Sequence, residues 1–279
     1  MRIKVVTDCI STGGYFPAWY KYYANEFGAN SLHVFCYPEI ESNISDFPLG
    51  GLHRIDGVYQ DDLRKATLTD FINSELRDTD IIIRVDVDEF LVPDPNRHRS
   101  LRDFIMTWNG RHITARGFDV FQTLKENELN FNQKILPQRS TCYALTALNK
   151  TCITRVSLIW GRGFHYCSLP PVFDDVYLFH LKRGDINQQI SWNMKMIERG
   201  KEDAFLLNYY SWGVEEIRSY HFQRGNLPLL RGADVFNRME FNRDFLSKIR
   251  FHKQDRLFNG PYEIEPVNLE IPENVRHFF

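Results

Sequence analysis

Ile81-Ile82-Ile83-Arg84-Val85 runs without interruption into Asp86-Val87-Asp88-Glu89-Phe90-Leu91. The first five residues are a branched apolar run, the pattern of a strand buried on both faces. Three carboxylates at the end of such a strand are costly unless a cation or a ligand compensates them. Upstream, Ile3, Val5 and Val6 form another apolar strand that stops at Thr7-Asp8. Aromatics then recur at helical spacing from Phe16-Pro17-Ala18-Trp19 through Tyr23 and Phe27. Ser31 to Tyr37 reads as a second strand, closed by Pro38 and the turn residues from Asn43 to Gly51. Asp61 to Arg77 predicts an amphipathic helix with acidic residues in its first turn. This alternation over the first ~90 residues predicts an α/β fold with parallel strands, which binds ligands beyond the strands' carboxyl ends.

The second half is less regular. Leu101 to Trp108 reads as a helix, His112 to Val120 as a strand, and Val176 to Leu181 as a short strand closing the catalytic half. From Asn187 onward helical periods dominate, with Trp192, Met196 and Ile197 on one face and Phe236, Met239, Leu246 and Ile249 on another. Pro261 to Phe279 looks like an irregular strap. Residues 1–185 are therefore expected to form the catalytic domain and 186–279 a mainly helical extension packed on it.

The chain has 279 residues, 43% of them hydrophobic and 25% charged, with 22 Phe, 13 Tyr and 5 Trp. Such a composition packs a core and excludes disorder. The formal net charge of -2 supplies no global field for a polyanion, so nucleic acid is not an expected partner. Cys9, Cys36, Cys142, Cys152 and Cys167 are odd in number and contain no C-x-x-C pair, which argues against a disulfide framework and a zinc knuckle. Reduced thiols, no signal-peptide pattern at Met1 to Cys9 and no apolar run of ~18 residues point to a soluble cytoplasmic protein, at most peripheral to the inner face of a membrane.

Strand alternation would put Asp86 and Asp88 on one side, where both can face a divalent ion and its phosphate ligands. A calcium loop of the EF-hand type is excluded, because Phe90 and Leu91 stand where it needs an oxygen ligand and Gly. The phosphatase motif of haloacid-dehalogenase-like enzymes is excluded by the same Phe90.

Val5-Val6-Thr7-Asp8, the Phe16 to Tyr23 helix leading to Phe27-Gly28-Ala29, and Asp86-Val87-Asp88-Glu89-Phe90-Leu91 together resemble GT-A-type glycosyltransferases of the family 2 kind. Gly117-Phe118-Asp119-Val120, Gln138-Arg139, Asn149-Lys150-Thr151, Gly163-Phe164-His165 and Leu178-Phe179-His180-Leu181-Lys182-Arg183 are similar, in order, to blocks in a bacterial branch of that family. The resemblance spans roughly Ile3 to Asp185. It implies a GT-A-like, Rossmann-type mixed sheet sandwiched by helices. It also implies transfer of a sugar, by inversion, from a nucleotide diphosphate donor, most often a UDP-sugar, to a hydroxyl of a glycan or lipid-linked acceptor. In that reading Mn2+ or Mg2+ bridges the diphosphate and neutralises the leaving group. Asp86 would contact the donor ribose or sugar, Asp88 the metal, and Thr7-Asp8 the nucleoside base. One departure is the Cys36-Tyr37-Pro38-Glu39 segment, where many relatives have an Asp that reads the base.

His180, at a strand end before Lys182 and Arg183, is the second candidate metal ligand, since imidazole with carboxylate suits Mn2+ better than Mg2+. His165 competes for the role, and either ring could instead be an ordinary packed histidine. Lys150, Lys182 and Arg183 are candidates to hold phosphate oxygens. Inverting transfer needs a carboxylate base on the acceptor side, for which Asp119 and the Asp174-Asp175 pair are the candidates, with Asp175 favoured in that pair. Arg218 to Arg256 holds nine Lys or Arg against four Asp or Glu, interleaved with aromatics, which suits either an anionic-lipid surface or an ordinary solvated helix face. Other readings of the same residues are a metal-dependent phosphoester or nucleotide-sugar hydrolase and a non-catalytic carbohydrate-binding protein.

Overall fold

The computed structural model describes residues 1–10, 14–57, 59–199, 210–232 and 239–279, with backbone alone at 199 and 239–242. Strands β1 (Ile3–Cys9), β2 (Leu32–Cys36), β3 (Gly51–Arg54) and β4 (Ile81–Arg84) are parallel. Their spatial order, β3-β2-β1-β4, is that of a Rossmann half-sheet. A second sheet begins with β5 (Glu89–Pro93). Strand β6 (His112–Thr114) belongs to the first sheet and β7 (Arg116–Phe121) to the second. The first sheet is completed by β9 (Thr151–Thr154), antiparallel to both β4 and β6. The second sheet also contains β8 (Thr141–Ala144), β10 (Val176–Arg183), β11 (Leu229–Leu230) and β14 (Asn268–Glu270), in the order β11-β14-β8-β7-β10-β5. β12 (Arg250–His252) and β13 (Leu257–Asn259) form a separate hairpin. The fold is thus α/β, with mixed sheets flanked by helices.

Period-two alternation distributes the first sheet over two cores. Val5, Ile81 and Ile83 face a core shared with the second sheet and with α1 (Tyr15–Phe27), which buries Phe16, Trp19, Tyr22, Tyr23 and Phe27. Val6, Phe35 and Ile82 face the other core, capped by Leu68 and Ile72 of α3 (Asp61–Glu75), which follows the short helix α2 (Glu41–Ile44) in the chain; α4 (Leu101–Thr107) follows β5. Burial on both faces explains why β4 reads as an unbroken apolar run.

Two expectations are corrected. The strand expected from His112 to Val120 is two strands, because the chain changes sheets at Ala115. Gly117 permits the crossing, since a Cβ there would lie 2.2 Å from Leu148 Cβ. The strap from Pro261 to Phe279 is ordered: β14 pairs with β8, and a short helix covers Glu273–Arg276. The extension after residue 185 therefore adds strands to the second sheet as well as helices, among them α5 (Ile186–Arg199), Val214–Gly225 and Met239–Lys248. On α5, Met196 is fully buried as expected. Among the described side chains of Met239–Lys248, Phe245 is buried, whereas Leu246 is 43% exposed. Phe236 lies outside the described residues.

The C-terminal segment reaches the carboxylate motif itself. Phe279 is buried and stacks on Phe90, with ring centroids 4.1 Å apart and planes at 9°. Its carbonyl accepts from Leu136 N at 2.9 Å. Phe279→Ala is expected to cost about 3 kcal/mol, as for other buried rings. Urea unfolding measures this, and a change below about 0.5 kcal/mol would contradict it.

Candidate active site

The site lies on the seam between the sheets. β4 ends at Arg84 in the first sheet and β5 starts at Glu89 in the second, so Val85 to Asp88 is the crossing. A tight turn makes it: Glu89 N donates to Asp86 O at 3.0 Å, and Asp86 N donates to Glu89 Oε2 at 2.9 Å. Strand alternation does not apply within a turn, so the Asp86 and Asp88 carboxylates take different partners.

Asp86 is the centre of an ion cluster. Arg84 Nη2 donates to its Oδ1 at 2.6 Å, Arg64 Nη2 reaches the same oxygen, and Lys150 Nζ donates to Oδ2 at 2.9 Å. Arg64 and Arg84 also bind Asp8, at 2.6 and 3.1 Å, at the carboxyl end of β1. Lys150 lies 2.6 Å from Glu89, whose side chain is fully buried. Burial would raise the Asp86 carboxyl, but Arg84, Lys150 and Arg64 outweigh it and hold it well below the usual carboxylate range. Burial pushes Glu89 up despite Lys150. The Phe164 ring covers Arg84, 3.4 Å from guanidinium carbon to centroid. Phe164 sits at φ 58° after Gly163 at φ 59°, a left-handed pair in which the non-glycine residue is strained.

Asp88 points toward β10. Leu181 N donates to its carbonyl at 2.8 Å, and its Oδ2 lies 3.5 Å from His180 Nε2. The other ring nitrogen, Nδ1, donates to Asp119 Oδ1 at 2.8 Å. Tyr143 Oη donates to Asp119 Oδ2 at 2.7 Å, and Arg183 binds the same oxygen. Burial opposes ionisation of Asp119, but Arg183 and His180, with the bonds from His180 and Tyr143, hold it far below the usual range. Burial would lower the His180 pKa, yet Asp88 and Asp119 raise it. The raised His180 pKa favours a proton between Nε2 and Asp88 Oδ2, and a divalent cation can take that proton's place between the two groups.

That donor set fits a divalent cation. Ligands about 2.1 Å from one octahedral ion lie about 3 Å apart, close to the spacing seen here. A carboxylate holding the far nitrogen of a metal-binding imidazole is the usual supporting arrangement. Among the described residues no group of three or more His, Cys, Asp and Glu side chains could hold a metal. A cation here would take its remaining ligands from a diphosphate and water, the habit of Mg2+ and Mn2+ at phosphate sites.

The structure thus gathers Asp8, Asp86, Asp88, Lys150, Asp119 and His180 on one seam, and separates others. Thr7 is fully buried and its hydroxyl turns back to Asp8 O at 3.4 Å, so it presents nothing to a nucleoside base. Asp119 is fully buried and saturated, which removes it as an acceptor-side base and makes it the support of His180. Asp175 binds Arg97 at 2.7 Å and precedes Val176, the first residue of β10, about 17 Å along the chain from His180. Asp174 shapes the adjoining turn by accepting from Asp175 N at 2.8 Å. Lys182 lies over the Tyr210 ring at 4.5 Å, away from Asp86. His165 donates from Nδ1 to Ala147 O at 2.5 Å, and burial together with Lys150 pushes it down to about 3. It is His180, then, that approaches Asp88.

Arg64, Arg84, Glu89 and Tyr143 take part without having been assigned a role from sequence. Arg84 carries a signal, a lone cation inside an apolar strand, and Glu89 stands within the motif. Arg64 and Tyr143 carry none, because a helical Arg and a strand Tyr are ordinary at their positions.

No family model and no curated protein sequence matches the chain. Among solved structures it is similar to CMP:2-keto-3-deoxy-manno-octonic acid synthetase complexed with CTP, with a TM-score of 0.29, 11% identity, and coverage of 79% of this chain and 86% of that one. It is also similar to the apo-form glycosyltransferase GlyE of Streptococcus pneumoniae TIGR4, with a TM-score of 0.27, 12% identity, and coverage of 98% of this chain and 55% of that one. The chain thus spans about half the length of GlyE.

Lys150→Met leaves Asp86 with its two arginines and takes from buried Glu89 the cation that bonds it. Breaking a buried pair in this way costs about 3–5 kcal/mol. Adding Glu89→Gln should recover a substantial part, since it removes the stranded charge. Denaturant unfolding of the double-mutant cycle measures both, and additive losses would contradict the coupling.

Proposed function

We propose that the chain is a metal-dependent glycosyltransferase of the GT-A type, moving a sugar from a nucleoside diphosphate donor to an acceptor hydroxyl. The observation that carries this reading is the Asp88–His180 pair, 3.5 Å apart and backed by buried Asp119, on the seam where β4 passes into β5. Side-chain exposure is 23% for Asp88 and 13% for His180 against none for Asp119 and Glu89; Asp86, at 19%, is also reachable but its charge is already met by Arg64, Arg84 and Lys150, which leaves the pair for a ligand. A divalent cation bound there supplies neutralisation of the charge that develops on the departing diphosphate.

The chain's own groups perform the preparation. Asp119, with Tyr143 and Arg183 on its second oxygen, fixes the His180 tautomer so that Nε2 is the free lone pair. Arg64, Arg84 and Lys150 hold Asp86 ionised and immobile, so the donor meets a preorganised carboxylate. Asp8, at the end of β1, stands where a nucleotide lies in parallel α/β sheets. A uridine diphosphate sugar is the first donor to test, and Cys36-Tyr37-Pro38-Glu39 is the segment whose chemistry would alter the preference for its base.

Calorimetric titration of UDP in the presence of Mn2+ tests the reading. Asp88→Asn is expected to weaken Mn2+-dependent UDP binding by about 100-fold or more, the upper end of losses seen when metal sites are disturbed. Unchanged Mn2+-dependent affinity in a folded Asp88→Asn variant would overturn the assignment.

A further inference from the structure

The helix Val214–Gly225 is fixed to the second sheet by buried polar contacts. His221 is fully buried between Gln122 O at 2.8 Å and Gln189 Oε1 at 2.9 Å. Arg224 Nη2 donates to the carbonyls of Glu265 and Val267, both at 2.9 Å. Tyr220 Oη meets Tyr143 Oη at 2.7 Å, and through Tyr143 and Asp119 this contact leads to His180. On the outer side the same helix lines a shallow groove with Trp212, Glu215, Glu216, Ser219, Tyr220 and Gln223. The Trp212 and Tyr220 rings pair at 5.3 Å and 47°, and Trp212 remains 38% exposed.

These residues describe a ligand. The exposed Trp212 ring, backed by Tyr220, offers a face to the C–H side of a pyranose, while carboxylate, hydroxyl and amide groups bond its hydroxyls. The described lining holds two carboxylates, and the Arg183 guanidinium beside it, 5.0 Å from the Tyr220 centroid, is already paired with Asp119, so the groove disfavours uronic acids and phosphorylated sugars. We propose that this groove is the subsite for a neutral saccharide acceptor. The proposal rests on the transferase reading for its role, and on the groove's own chemistry for its ligand class.

Saturation-transfer NMR without nucleotide or metal tests it, using the methyl glycosides of glucose, galactose and N-acetylglucosamine, short oligosaccharides of each, and glucuronic acid as the anionic control. Neutral glycosides should receive saturation and glucuronic acid should not. Trp212→Ala should weaken the neutral probes about five- to tenfold, and Trp212→Phe by no more than about twofold. Should Trp212→Ala fail to fold, Glu215→Gln with Glu216→Gln, both on the exposed helix surface, should admit glucuronic acid. The proposal is overturned if no neutral probe binds the parent chain, if folded Trp212→Ala binds as the parent does, or if the double Gln variant still excludes glucuronic acid. A parallel titration with a UDP-sugar and Mn2+ separates the donor's sugar from the acceptor, because donor affinity should be the same in Trp212→Ala. Saccharide binding that depends on Trp212 in a protein that transfers sugar from no donor would leave the subsite standing and overturn the transferase reading.

Discussion

The Asp86 carboxylate takes a lysine and two arginines from three separate parts of the chain, and the geometry around the seam depends on that neutralisation. Arg64 comes from the first turn of α3, Arg84 from the last residue of β4, and Lys150 from just before β9. None of these charges is tolerable alone at this depth, because an unpaired buried ion costs several kcal/mol. Together with Asp8 and Glu89 they form a near-neutral cluster that ties α3, β1 and both sheets to one point. Buried ion clusters are weak sources of net stability, so the gain lies in geometry: a turn that could adopt many shapes is held in one.

That fixed turn separates two roles that adjacent aspartates could otherwise confuse. Asp86 is held by cations, while Asp88 lies against β10, where Leu181 N bonds its carbonyl and His180 approaches its carboxylate. Behind His180 the Asp119 carboxylate collects Arg183 and Tyr143, and Tyr143 in turn meets Tyr220. The C-terminal part of the chain thereby reaches the site twice, through Tyr220 and through the Phe279 ring stacked on Phe90.

What the sequence discloses depends on how local the cause is. β4 is legible because burial on both faces leaves a continuous apolar run, and α1 and α3 because their buried residues recur at helical spacing. The sheet change at Ala115 is not legible, since a strand that crosses from one sheet to another keeps its alternation. The Val85–Asp88 turn is hidden for a related reason: it contains neither Gly nor Pro, and its cause is a reciprocal bond with Glu89. Strand β14 is too short to show a period. At the site, carboxylate and imidazole types are visible as candidates, but burial is not, and burial is what turns Asp119 from a base into a support for His180.

The central claim is that His180 Nε2 and Asp88 hold a cation together. Electron spin-echo modulation of Mn2+ bound with a nucleoside diphosphate reads this directly, because a coordinated imidazole couples its nitrogen to the metal spin. The account predicts nitrogen modulation in the parent chain that persists in His165→Gln and disappears in His180→Gln. Absence of nitrogen coupling in the parent, or its survival in His180→Gln, would contradict it.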